Sequence, residues 1–171
     1  MSTTAAILQE IDQESATTRR VLERVPGDRL TWKPHPRSMS IGELALHVAG
    51  SPGFIAEWAL QDSVEFPEGS TLVQPKSTHE ILAAHEESVK KAKSAISRLG
   101  DEGLHQHWQA TKNGVAVFAM PKTALVRTVV LNHTYHHRGQ LSVYLRLLDV
   151  KVPSIYGPSA DENPMAVAAQ A

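Results

Sequence analysis

Residues 122–148 read KTALVRTVVLNHTYHHRGQLSVYLRLL. The stretch follows Pro121, a residue tolerated in the first turn of a helix, and its apolar residues recur at helical spacing. It predicts a long helix from Lys122 to Leu148. Within it His133, His136 and His137 fall inside five positions. At about 100° per residue, Val126, Val129, Val130, Tyr144, Leu147 and Leu148 lie within roughly 60° of His133. His137 lies about 40° to one side of it and His136 about 60° to the other. Arg127, Arg138 and Arg146 fall well off this stripe. The pattern therefore sets polar rings on or beside the buried face and places Arg138 in an ion pair at the helix surface or a dimer interface, with anion binding as the alternative. Burying such a ring without a partner costs about 1–3 kcal/mol, so the rings need a reason to be there.

Working outward, three more segments carry helical periodicity. One runs from Thr3 to Val25 and stops at PGDRLTWKPHPR, where Gly27 and the prolines break it. The next begins at SIGELALH, where Ser40 and Glu43 form a capping-box pattern. It is expected to reach about Gln61, with a bend where GSPG places Pro52. The third is capped by Ser77 with Glu80 three residues on. Its stripe of Leu82, His85, Val89, Ala92, Ile96 and Leu99 ends at LGDEG. Between the third and fourth helices, HWQATKNGVAVFAM has apolar runs around Asn113-Gly114, a dipeptide suited to positive φ, and suggests a short hairpin. Short connections between long helices favour an all-α, antiparallel four-helix bundle, here with that hairpin before the last long helix. One domain is expected over 1–160, with a flexible tail over 161–171.

The 171 residues carry a formal net charge of −1 and no cysteine. That balance lacks the basic footprint of a nucleic-acid binder. The missing cysteine excludes a disulfide frame, a Cys-type zinc site and a protein thiol nucleophile. MSTTAAILQEIDQE is no signal peptide, and no stretch approaches the ~18 apolar residues of a membrane span. A cytoplasmic protein without membrane or nucleic-acid partners is expected.

The nine histidines are the informative residues. His133 and His137, at i and i+4, stack one turn apart and can converge on one ion. His47, on the apolar face of the second helix, can be brought opposite them by a neighbouring helix. Three imidazoles at one point suit a late first-row divalent cation and leave a coordination position open. The competing reading is a set of core histidines that hydrogen-bond one another. A zincin-type protease is excluded, because its motif needs Glu directly after the first histidine and Thr134 stands there.

LTWKPHPRSMSIGELALHVAG and LNHTYHHRGQLSVYLRLLDVKVPSIYG together resemble the DinB/YfiT-like family of metalloenzymes. The first matches a tryptophan-proline stretch leading into the second helix and its histidine. The second matches the fourth-helix H-x3-H signature and the Leu-Arg-Leu-Leu to Val-Pro continuation. The resemblance implies a four-helix bundle, often a homodimer. It implies one divalent metal, zinc or nickel foremost, held by His47, His133 and His137. It also points to external low-molecular-weight thiols, since related proteins include bacillithiol- and mycothiol-dependent enzymes. The family name does not imply DNA binding. The expected function is metal-dependent chemistry on a small-molecule substrate, as a thiol-dependent transferase or a hydrolase. The alternative is a non-catalytic metal-binding stress-response protein.

No catalytic acid or base can be named. His136 and Gln140 are candidates for the pocket. Glu43, one turn before His47, is a candidate behind the ligands, though capping also accounts for it. His85 could approach the site or sit as a satisfied core histidine. Trp32, Tyr144 and Tyr156 could line a pocket or pack the core. His35, His79, His105 and His107 are expected in solvent.

Overall fold

The computed structural model describes residues 2–66, 69 and 72–168. Helix α1 spans Thr3–Leu22 and starts at Ser2, whose Oγ accepts the Ala5 N–H at 3.1 Å. Ile7, Ile11, Thr18, Val21 and Leu22 are its buried stripe. Helix α2 covers Ile41–Trp58. Its capping box is complete: Ser40 Oγ accepts from the Glu43 N–H, and Glu43 Oε2 accepts from the Ser40 N–H at 2.7 Å. The helix runs on through Pro52. Ser88 of the adjoining helix helps it do so, since its Oγ accepts the Gly53 N–H at 2.8 Å and donates to the Gly50 carbonyl at 3.1 Å. That insertion requires close approach. A Cβ on Gly53 would stand 2.6 Å from the Ser88 carbonyl oxygen.

Helix α3, Thr78–His105, is capped by Ser77 Oγ at the Glu80 N–H, 3.1 Å away. It breaks at Gly100 (φ 60°, ψ −177°), where the sequence places its end, and then resumes to His105. Helices α2 and α3 pack more extensively than any other pair of elements.

The all-α four-helix bundle is corrected by a three-stranded mixed sheet. Strands β2, His107–Lys112, and β3, Val115–Pro121, form the antiparallel hairpin, turning at Asn113 (φ 52°) and Gly114 (φ 74°). Strand β1, Ser63–Glu65, joins β2 in parallel, with Val64 opposite Ala110. Three residues are too short to show an alternating pattern, and the pairing is set by a partner more than forty positions away. Trp108 and Ala110 point inward from β2, and Trp58 stacks on Trp108 at a ring separation of 6.4 Å. Lys122, buried at the end of the sheet, donates to Asp62 Oδ1 at 2.8 Å.

The predicted fourth helix is three segments. Helix α4, Lys122–Leu125, passes into a π-helical stretch, Val126–Asn132, and then into α5, His133–Leu147. A π turn carries more residues than an α turn. Angles counted at a uniform 100° from Val126 to His133 therefore do not hold. The buried stripe of α5 is Thr134, Arg138, Leu141 and Leu145, while Leu147 is exposed. Burial of each such leucine contributes about 1.5–3 kcal/mol.

Arg138 is thus a second correction: it is 1% exposed. Its guanidinium reaches Glu14 Oε2 at 2.7 Å, Thr18 Oγ1 at 3.0 Å and the Tyr156 hydroxyl at 2.6 Å. Counter-charge, not distance from water, gives this arginine its place.

After α5, Asp161 accepts from the Val152 N–H at 2.9 Å and pairs with Arg146. A short helix α6 follows at Pro164–Ala168. Residues 169–171 of the expected tail lie outside the described residues. Among the described residues no helix is long and apolar enough to cross a membrane.

Candidate metal centre

Two elements build the site. Helix α2 presents His47 from the edge of a buried face made by Leu44, Ala45, Val48 and Ala49. Helix α5 presents His133 and His137 one turn apart, beside its buried Thr134–Arg138 stripe. All three rings are half-buried. The π stretch ends immediately before His133, so both α5 histidines stand on regular α geometry and the i, i+4 argument holds for them.

The nitrogens converge. His133 Nε2 lies 3.0 Å from His137 Nε2 and 3.4 Å from His47 Nε2. One nitrogen from each ring falls within 4.8 Å of the other two. The rings meet edge to face, with centroids 4.4–5.0 Å apart. His137 Nδ1 donates to Gln140 Oε1 at 2.7 Å, which turns the Nε2 lone pair toward the cluster. His133 Nδ1 is buried with no partner among the described residues.

Desolvation lowers all three basicities. Burial, aided by the neighbouring imidazoles of His137, His47 and His136, brings the His133 pKa down to about 4. Burial and then His137 lower that of His47. Burial also lowers that of His137, against the hydrogen bond it donates to Gln140. The rings are therefore poised as neutral bases near pH 7.

This donor set fits a cation. Nitrogens about 2.0–2.1 Å from a tetrahedral zinc stand roughly 3.3 Å apart, close to the separations found. A proton can bridge two facing lone pairs, whereas a central ion engages three. The cluster could hold a metal ion, and among the described residues no carboxylate oxygen joins it.

The other candidates fall as follows. His136 is exposed at the rim, its ring 4.9 Å from that of His137. Gln140 is exposed and oriented by His137. Glu43 caps α2 and pairs with Lys33 at 3.5 Å; these contacts, the Ser40 N–H first, hold its carboxyl below the usual range. His85 is buried away from the cluster, its Nε2 3.1 Å from the Ser15 carbonyl. Trp32 and Tyr144 pack edge to face at 5.8 Å, and Tyr156 serves Arg138 and Glu14. His35, His79, His105 and His107 are exposed. The sequence reading missed the groove beside His47, lined by Phe54, Trp58, Leu72 and Val73. The spacing of His47, Phe54 and Trp58 along α2 was its available signal.

A family model for the DinB family matches residues 1–165, and the chain belongs to that family. Its fold is shared with a DinB-like protein from Bacillus cereus (TM-score 0.69, 23% identity, 88% of this chain and 95% of the other). It is shared also with the DinB-like protein YjoA of Bacillus subtilis (TM-score 0.66, 20% identity, 88% and 97%). The uncharacterized protein YrdA of Bacillus subtilis is 22% identical over 155 residues, 91% of this chain and 89% of that protein.

Proposed function

We propose that the protein is a metal-dependent enzyme of small-molecule chemistry, holding one divalent ion, zinc or nickel foremost, through His47, His133 and His137. The observation that carries this reading is the convergence of three Nε2 atoms from two helices, all on rings disposed to stay neutral. When bound, such an ion supplies Lewis acidity that lowers the pKa of a water or thiol ligand. The chain's own part is positional. Gln140 holds the His137 tautomer, the α2 and α5 cores hold the ring spacing, and the half-buried setting limits water.

Among the described residues no carboxylate joins the cluster, which favours thiol transfer over base-assisted hydrolysis. Since the chain has no cysteine, the thiol comes from outside as a low-molecular-weight cosubstrate. Its sulfur forms a C–S bond to an electrophilic carbon. The leaving group departs with its electron pair, and the thiol proton passes to solvent.

The test is a conjugation screen on tag-free protein, pairing several low-molecular-weight thiols with electrophiles, with and without zinc or nickel. Turnover should require the metal and vanish in His133→Ala while the urea midpoint of that variant stays near wild type. Full turnover in His133→Ala sinks the reading. Stoichiometric metal without turnover in any pairing would instead make the protein a non-catalytic metal binder.

A further inference from the structure

The face of α2 that presents His47 continues past it as an open groove of about 580 Å³. Leu72 and Val73 of the connection to α3 form part of its lining. From His47 to Trp58 the helix rises about 16 Å at ~1.5 Å per residue. Along that length the lining turns from polar to apolar: Ser51 stands near His47, then Phe54, Ile55 and Trp58 follow. Phe54 and Val73 are 56% and 58% exposed, an expensive arrangement for isolated surface residues gathered in one depression. Phe54 meets Trp58 edge to face at 4.9 Å, which leaves an aromatic wall facing open space. Glu43, the one acid in the lining among the described residues, is already engaged by Ser40 and Lys33.

The floor of the groove has a gap. Gly50 stands one turn from His47, and a Cβ built there would meet nothing within 4 Å. A glycine in a helix interior is unfavourable relative to alanine, and here no neighbouring atom requires it. Space beside the imidazole cluster is what its missing side chain provides.

We propose that this groove binds the neutral, aryl-bearing body of the substrate, laid along α2 with its reactive head at His47. The proposal rests on the metal-centre reading and adds a substrate class to it. His47 lines both places, so a ligand in the groove can reach the cluster without crossing protein. The described lining is mainly apolar and aromatic, with Glu43 already engaged, and so favours a body that needs no ionic partner. Phe54, Trp58 and the Gly50 gap select flat rings.

Two probes with one metal-binding head test this: acetohydroxamate and biphenyl-4-hydroxamate, titrated against Co(II)-loaded protein and read by the visible cobalt spectrum. The biphenyl probe should bind at least about tenfold more tightly, as burial of two rings implies. Gly50→Leu, which fills the gap, should remove that advantage and leave Co(II) affinity within about twofold, as expected for a residue that is not a ligand. Phe54→Ser, at an exposed position, should reduce the advantage without filling the gap. Equal affinities of the two probes, or an advantage that survives Gly50→Leu, overturn the proposal. If wild-type protein takes up no Co(II), the metal reading fails separately. The groove is then decided on the metal-free chain by ligand-observed NMR of biphenyl-4-hydroxamate. Binding that is lost in Gly50→Leu supports the groove, and binding that is absent or unchanged in the variant overturns it.

Discussion

Helix α5 carries two polar clusters on neighbouring faces, and they are assembled by opposite rules. Around Arg138 each group meets its complement. The guanidinium pairs with the Glu14 carboxylate, the Tyr156 hydroxyl donates to Glu14, and the rings of Tyr135 and Tyr156 lie 5.2 and 5.1 Å from the arginine carbon. Around His133 three bases face one another, with no acid among them in the described residues. The first cluster is complete in the protein alone. The second is chemically unfinished, and a cation is what would finish it. A buried polar group is thus evidence of function only after its partners have been counted.

The largest expected effect breaks the complete cluster. Arg138→Ala should destabilise the protein by about 3–5 kcal/mol, because it strands the Glu14 carboxylate near the core. His133→Ala on the other face should change the stability of metal-free protein far less, since that ring's Nδ1 has no partner among the described residues to lose. Urea midpoints of the two variants measure the contrast. Equal losses would erase the distinction between the clusters.

A smaller effect sharpens it. Gln140→Ala removes the acceptor that orients His137 and should weaken zinc binding by about tenfold, as loss of an orienting hydrogen bond commonly does. The stability of the metal-free protein should barely change, because Gln140 is exposed. Calorimetric titration with zinc checks the first statement and thermal melting the second. Unchanged zinc affinity would show that His137 does not need Gln140.

The last effect is in pH. His133 titrates near 4 when folded, against a usual value of 6.5, and burial moves His47 and His85 in the same direction. Between those values the unfolded chain holds more protons than the folded one. Stability of the metal-free protein is therefore full above about pH 6.5 and declines as pH falls toward 4. Saturating zinc should flatten the decline, because it binds the neutral rings. Urea midpoints at pH 7 and pH 5, with and without zinc, decide it. A midpoint indifferent to both would mean that the cluster is not held in its neutral, converging form.

Legibility followed the range of the interaction. The Ser40–Glu43 box, the Ser77 cap, the Asn113-Gly114 turn and the break at Gly100 are all contained within a few residues and could be read directly. So could the pairing of His133 with His137 on one helical face. The π stretch was not readable, because Val126–Asn132 has no proline or glycine to mark the change of pitch. That change undid the angular count from Val126 to His133. Arg138 was misplaced for another reason. Its angle, well off the His133 stripe, pointed away from the core, while Glu14 and Thr18, more than a hundred positions earlier, supply its partners.

The sequence by itself determined the local devices, the family, and the pairing of His133 with His137 on one helical face. Each depends on spacing along one helix or on a motif preserved in order. Tertiary structure alone decided that Ser63–Glu65 becomes a strand, that an arginine enters the core, and that His47 meets His133 at 3.4 Å. Those outcomes depend on hydrogen bonds and counter-charges between segments far apart in the chain, and no local preference of either segment specifies its partner.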